Sequence, residues 1–510
     1  MEQLKNVEDF DDFDEMFDNL MNWKCKSYGG KFDMVKYATI YCEQDVRVLK
    51  EGWVIFRQSL LDKFQLDAFD FPTISGLSDQ YFINTGCFDG VCEMSNIPRQ
   101  FISNCSIGGR VMCADNKKIR VAGKISDFDG VSLYPSSMKR IPGYLKGRPK
   151  IWTANINLSK VDGYFLKIRV LKVGKKYRFP ITRIKSEDGG NDWTNELEGC
   201  EIFVDRFTLE DLVKYSKIKY EIIQGYYFDE GRNSKVNEVI QYLFDERLKY
   251  KQMKNPLQLI IKLMMNSGYG KCGLKPIETD TQYVNEKDKS NFIHNHFNNI
   301  KQFTQMPNGQ WRFDLYKAID THYNRQHVAC EILSVSKNIM NEVMCLAEDN
   351  NINIYYTDTD SMHMDFDKVE RLGELFVEKY GRNLIGEELG QFHTDFEMKG
   401  SEGKIWAEES IFLGKKTYID KLVDEAGNSG YHIRMKGIPS NCIHHKAEWM
   451  FQQDPMKLYE YLYNGNDLSF DLTTGGNCCF KTNKNHTTST IAMNRSVSFE
   501  NAVAHEVFSY

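Results

Sequence analysis

The alternation of apolar and polar positions divides the middle of the chain into readable elements. From Val236 to Lys254 a charged stretch carries apolar residues at helical spacing, and after Asn255-Pro256 a second such stretch runs to Asn266. Pro256 suits a first helical position, so the pair reads as a helical hairpin. A third helix is predicted from Val328 to Glu348, followed by a polar turn and a β-like run from Ile352 to Tyr356. That places Asp358 to Ser361 at a strand end. Asp129 likewise closes a predicted strand, ahead of a Ser-Leu-Tyr-Pro turn. Beyond Lys436 the pattern is mixed, with one helix expected around Ala447 to Asn464, and the stretch from Gly273 to His322 has no clear period.

Size and composition frame these elements. Single cores stop growing at about 250 to 300 residues, so 510 residues at 41% hydrophobic content predict several packed subdomains. No repeat or low-complexity tract occurs, and the 11 prolines mark no long linker. No apolar run approaches the ~20 residues of a membrane span and no charged-then-apolar leader follows Met1, so an intracellular protein without a membrane partner is expected. The 13 cysteines show no CxxC pair, which predicts free thiols in a reducing compartment and no zinc site. A net charge of -6 argues against coating nucleic acid by bulk positive charge but permits a local basic groove. The acidic stretch Glu8 to Asp18 and the basic run Arg247 to Lys254 show that charge is segregated.

Candidate chemistry begins with Tyr356-Thr-Asp358-Thr-Asp360-Ser361. Two carboxylates two residues apart on an extended strand point to one face, and a pair of hard oxygen donors plus substrate phosphates is enough to hold Mg²⁺. An acidic turn is the bland reading of Asp-x-Asp alone; the string Asp-Thr-Asp-Ser arises by chance in on the order of one chain in a hundred of this length. Lys262, Asn266 and Tyr269 are spaced i, i+4, i+7 and share one helix face. A lysine among Leu259, Ile260, Ile261, Leu263 and Met264 must reach an anion or snorkel to water. Arg247 and Lys251 also share a face, suited to phosphates or to solvent alike.

In series, these strings resemble family B DNA polymerases, most closely the protein-primed, viral and organellar subgroup. Asp129-Gly-Val-Ser132-Leu133-Tyr134-Pro135 is similar to the first polymerase motif, Lys262 to Gly270 to the second, and Tyr356 to Ser361 to the third. Lys416-Thr-Tyr418 resembles the following Lys-x-Tyr element and Lys436-Gly-Ile the approach to the thumb, so the likeness runs from about Tyr41 to Ile438. It implies a multidomain α/β right-hand polymerase of palm, fingers and thumb, the palm an antiparallel sheet backed by helices. The expected boundaries are 1–105 for an exonuclease remnant, 106–235 for palm with a first insertion and 236–272 for fingers. They continue with 273–325 for a second, strand-displacement-like insertion, 326–435 for palm and 436–510 for thumb.

The resemblance also implies roles. Asp129 and Asp358, with Asp360 less firmly, would be catalytic and hold two Mg²⁺ ions, Mn²⁺ being the alternative, for template-directed DNA synthesis. Ser132, Leu133, Tyr134, Lys262, Asn266 and Tyr269, with Arg247 and Lys251, would bind the incoming dNTP, Tyr134 acting as the gate against a 2′-hydroxyl. Lys416, Tyr418, Gly108, Gly109, Ser267 and Gly270 would meet primer and template DNA. Tyr41 and Asp45 resemble the third exonuclease motif, but no Asp-x-Glu precedes them, which predicts an N-terminally shortened or split, non-proofreading chain. The resemblance to the viral and organellar subgroup further implies a chain encoded by a virus or mobile element and acting in host cytoplasm or nucleus. Ser106 stands where relatives carry the tyrosine of a Tyr-x-Gly-Gly linker, so that linker's aromatic contact is absent. The interval from Lys262 to Asp358 exceeds a bare helix-to-strand crossover. In the protein-primed subgroup such insertions hold a terminal protein, a nucleic-acid primer being the alternative. A nuclease and a non-catalytic DNA-binding remnant are the rival functions.

Overall fold

The computed structural model describes residues 7–26, 28–185, 190–318, 320, 322–472, 479–482, 488–491 and 494–499. The chain forms two compact units, residues 1–81 and 82–510. In the first, helix Val7–Asn22 precedes the long helix Met34–Phe64. Asp33 caps the latter by accepting the Lys36 N–H at 3.0 Å, satisfying one of the amide groups a helix start leaves open. Leu60 and Phe64 near its end are buried, whereas Val35, Tyr41, Val48, Leu49 and Ile55 are exposed.

The second unit is organised on an antiparallel sheet in the order Val111–Cys113, Ile354–Asp358, Ser361–Asp365, Ile119–Gly130, Ile405–Gly414, Thr417–Asp424 and Ser429–Met435, with Phe392–Thr394 also paired to Ile119–Gly130. The pairing matches the palm expectation. Helix Gln326–Asp349, buried around its circumference along most of its length, packs against helices Leu133–Arg140, Arg206–Asp211, Asn96–Cys105 and Val369–Tyr380. A helix buried all round must satisfy its polar groups internally. Arg232 grips Glu331 with two bonds of 2.8 and 2.9 Å, and Asn338 and Asn341 both donate to Asp211.

The helical hairpin is present as Lys235–Gln252 and Leu257–Ser267, with Pro256 as the cap of the second helix rather than its first residue. The strand expected from Ile352 begins two residues later, as Ile354–Asp358, because pairing starts at Ile354 opposite Met364 while the Asn353 side chain bonds Asp365 at 3.1 Å. The helix expected from Ala447 to Asn464 is two helices, Ser440–Met450 and Pro455–Tyr463. Gln452 and Gln453 adopt left-handed backbone between them, and Asp454 caps the second over Pro455 at its first turn.

Between the first motif and the hairpin lies a four-stranded sheet, Lys150–Ile151, Lys219–Phe228, Gly163–Lys172 and Glu201–Asp205, over a core of Leu166, Ile168, Val204, Leu209 and Leu212. The patternless stretch after Gly273 folds as a three-stranded sheet, Thr279–Val284, Trp311–Tyr316 and Ile300–Gln305, held by Phe292 and Phe303 on Phe313 at ring distances of 4.7 and 5.4 Å. Among the described residues, no helix is long and apolar enough to cross a membrane.

Candidate active site

Three strand ends bring the carboxylates together. Asp358 lies directly opposite Ser361, and Ser361 directly opposite Asp129, so the two aspartates flank one residue in a single row of the sheet. Residues in register share a face, and two strand spacings separate their backbones by about 9.5 Å, a span side chains leaning toward a common cation can bridge. Asp360 sits in the turn between the strands, where Thr359 takes left-handed backbone with φ 67°. The turn is pinned from both sides. The Thr359 N–H donates to the Arg110 carbonyl at 2.8 Å, and the Asp360 carbonyl accepts the Gly130 N–H at 2.8 Å.

That clamp explains part of the Ser106 to Gly109 stretch. A Cβ on Gly109 would lie 2.5 Å from the Thr359 methyl, so only glycine permits this approach, whereas Gly108 faces open space. The stretch is tied in turn to the central helix. Gln326 donates to the Ser106 hydroxyl at 2.9 Å, and the buried Lys337 ammonium donates to the Ile107 carbonyl. Arg110 is itself buried, its guanidinium donating to the Pro180 carbonyl at 2.7 Å.

Electrostatics leave the row short of positive charge. Burial, reinforced by the neighbouring charges of Asp360 and Asp127, pushes the Asp129 carboxyl up to about 8. Burial also lifts Asp360, to about 6, with Asp358 adding to the effect. Crowded carboxylates of this kind are held protonated unless a cation neutralises them. Lys416 meets that need in part: its ammonium bonds both oxygens of Asp358, at 2.8 and 3.0 Å. Asp129, Asp358 and Asp360 do not converge as a set within 4.8 Å. The donor set, all carboxylate oxygen and short of positive charge, fits hard divalent ions.

The motif residues beside the row sort by exposure. Tyr134 lies in helix Leu133–Arg140, and its ring sits 4.7 Å from that of Tyr269, just beyond the second hairpin helix. The charge of Asp360 reaches both phenols. Arg247 donates to the Ser132 hydroxyl at 3.1 Å, joining hairpin to first motif, while Leu133 is packed in the core. Lys251 and Lys262 are exposed; Asn266 and Ser267 are half-buried, and Gly270 is exposed. Lys262 pairs with no carboxylate among the described residues. Tyr418 is 6% exposed, packed on Tyr356 at 4.9 Å, so of the Lys-x-Tyr pair Lys416 alone is open to solvent. Tyr41 and Asp45 are exposed on helix Met34–Phe64 in the other unit.

Sequence reasoning missed the Lys416 bond to Asp358, the Arg110 clamp and Asp127. Asp127 had a signal, being two residues before Asp129 and so on the same strand face. The other two depend on chain brought close only by folding.

The fold defines the class: a right-hand polymerase. It matches the structure of phi29 DNA polymerase complexed with primer-template DNA and incoming nucleotide substrates with a TM-score of 0.63 and 17% identity, covering 93% of this chain and 74% of that one. Within that class, the profile of DNA polymerase type B, organellar and viral, matches residues 2–350, and the chain belongs to this family. Relatives include a protein named "Probable DNA polymerase" from Neurospora intermedia, 25% identical over 83% of this chain and 42% of its own length. A "DNA polymerase" of Kluyveromyces lactis is 22% identical over 80% and 40%, and one of Streptococcus phage Cp-1 22% identical over 61% and 48%. The chain spans less than half the length of these curated relatives.

Proposed function

We propose that this chain is a template-directed DNA polymerase that adds deoxynucleotides to a primer hydroxyl. The observation that carries the proposal is the register of Asp129 and Asp358 on either side of Ser361, beside the Tyr134–Tyr269 pair. Asp129 and Asp358, with Asp360 shaping the turn, would hold two divalent ions, Mg²⁺ foremost and Mn²⁺ in its place, whose chemistry when bound is to activate the attacking oxygen and steady the leaving one.

The chain's own residues supply binding and selection. Lys262 offers a compact positive charge to the triphosphate of a dNTP, with Arg247 and Lys251 on the facing helix and the backbone amides after Ser132 completing an anion-binding wall. Tyr134 occupies the floor under the sugar, where its ring leaves no space for a 2′-hydroxyl. Tyr269 and Asn266 close over the base, with Ser267 and Gly270 along the template path. Lys416, which bonds Asp358 in this structure, would meet the primer backbone, with Tyr418 shaping the floor beneath it. Gly108 and Gly109 let the linker approach template DNA. The domain boundaries given above describe palm, fingers, thumb and insertions on this reading.

A labelled hairpin primer-template tests the proposal. With Mg²⁺ and dNTPs the primer should lengthen in the order the template dictates. Shortening without dNTPs would indicate a nuclease instead, and retention without extension a DNA-binding remnant.

A further inference from the structure

One row along the strands from the carboxylates, about 7 Å by the pleat repeat, lies a second polar cluster that polymerase chemistry leaves unassigned. The sheet curls until residues on non-neighbouring strands meet. His363, on Ser361–Asp365, places its Nε2 atom 3.2 Å from Oδ2 of Asp420, on Thr417–Asp424. His432, on Ser429–Met435, places its Nδ1 atom 3.2 Å from the same oxygen. All three ligand atoms lie within 4.8 Å of one another. His363 and Asp420 are fully buried and His432 is mostly so, its side chain 22% exposed. We infer that His363, Asp420 and His432 form a binding site for a divalent transition ion of the zinc class.

Three observations favour an ion over a bare imidazole–carboxylate network. Charge-assisted N–H···O bonds usually run 2.7–2.9 Å, and the bonds of Arg232 to Glu331 and Lys416 to Asp358 include contacts of 2.8 Å. The two contacts at Asp420 are both 3.2 Å, close to the ~3.3 Å edge of a tetrahedron whose centre lies 2.0–2.1 Å from nitrogen and oxygen ligands. Second, the other Asp420 oxygen is already taken, accepting the Ser410 hydroxyl at 2.6 Å, so the carboxylate offers one ligand atom and a low coordination number. Two imidazoles with one such oxygen suit zinc, whereas Mg²⁺ prefers an all-oxygen octahedron. Third, Nδ1 of His363 and Oδ1 of Asp127 are buried and 3.8 Å apart, with no hydrogen-bond partner among the described residues. A metal on Nε2 fixes the proton on Nδ1 and turns it toward a carboxylate, the usual outer partner of a metal-bound histidine.

The ligands are two histidines and an aspartate, 57 and 12 residues apart on three strands, so the cysteine pattern carried no signal of them. An ion there would tie strand Ser361–Asp365 to the paired strands Thr417–Asp424 and Ser429–Met435, neither of which is its neighbour in the sheet. Through Asp127 it would also bear on the strand that presents Asp129.

The test uses the full chain expressed with added zinc, purified without chelator and dialysed against excess Mg²⁺ to clear the carboxylate row. Elemental analysis should find one zinc per chain, and replacement by Co²⁺ should give the visible absorption of a four-coordinate site. Asp420→Asn should lose both signals and Asp129→Asn should keep them. His432→Cys should retain Co²⁺ and add a sulfur-to-metal charge-transfer band, a gain that a misfolded variant would not show. Wild-type protein with native circular dichroism, no zinc and no Co²⁺ absorption would overturn the inference in favour of a charge network. So would zinc retained in full by Asp420→Asn together with a His432→Cys protein that lacks the new band.

Discussion

At the scale of single residues, function rests on side chains whose type, more than position alone, carries the signal. Asp129→Asn or Asp358→Asn removes one ligand charge from the row without changing its shape. Losing about 4 kcal/mol of ion-borne stabilisation implies a fall in extension rate of roughly a thousandfold, with DNA binding largely kept. Single-turnover primer extension beside a gel-shift titration checks this. Tyr134→Val should instead spare dNTP addition and reduce discrimination against rNTPs about a hundredfold, read from competing incorporation. The raised Asp129 carboxyl gives a third expectation. Its value rises from 3.8 to about 8 on folding, so across that window the folded chain holds a proton the unfolded chain has released, and its contribution to stability is lost as pH rises toward 8. On the proposed function, Mg²⁺ would replace that proton. Its effect on Tm should therefore be larger at pH 8 than at pH 5.5, and the difference should shrink in Asp129→Asn; equal shifts at both pH values in wild type would exclude this titration. The motif aspartates and tyrosines were legible because short strings fixed them. Lys416 on Asp358 was not, since the contact joins residues 58 apart.

At the scale of elements, the hairpin, the central helix and the strand ending at Asp358 were legible because each buries one continuous apolar period or run. The sheet after Gly273 was hidden because its strands are short, mostly exposed and held by a few aromatic rings. The break at Gln452 and Gln453 depends on left-handed backbone at residues that seldom announce it, although Asp454-Pro455 was a start signal. The turn of Thr359 and Asp360 offers an element-scale test. Gly109→Ala should push against the Thr359 side chain, shift the turn and lower extension about tenfold or more, with the melting transition little changed. Thr359→Gly removes the obstructing atoms and suits φ 67°, so the double variant should recover most of the activity. A double variant no better than Gly109→Ala would show that the glycine serves some other contact.

At the scale of the whole chain, two capacities are to be separated from synthesis itself. The first unit presents Tyr41 and Asp45 on an exposed helix, and no Asp-x-Glu precedes them in the sequence. A single carboxylate beside a tyrosine cannot hold the paired ions that phosphodiester cleavage uses. With Mg²⁺, a mismatched 3′ end and no dNTPs, this chain alone should leave the primer at full length, and steady trimming would refute that. The second capacity is initiation. The chain belongs to the organellar and viral type B family, and two sheets lie on either side of the hairpin in the sequence, at 150–228 and 279–316. We expect them to seat a partner protein whose Ser, Thr or Tyr hydroxyl takes the place of the primer end, because the in-line attack proposed at Asp129 and Asp358 would be the same for either hydroxyl. Mixed with proteins encoded beside it, Mg²⁺ and one labelled dNTP, the chain should place covalent label on one partner. Deleting 279–316 should abolish that label while DNA-primed extension persists over short distances. If every candidate stays unlabelled while oligonucleotide primers are extended efficiently, the inserted sheets serve DNA alone and initiation uses a nucleic-acid primer.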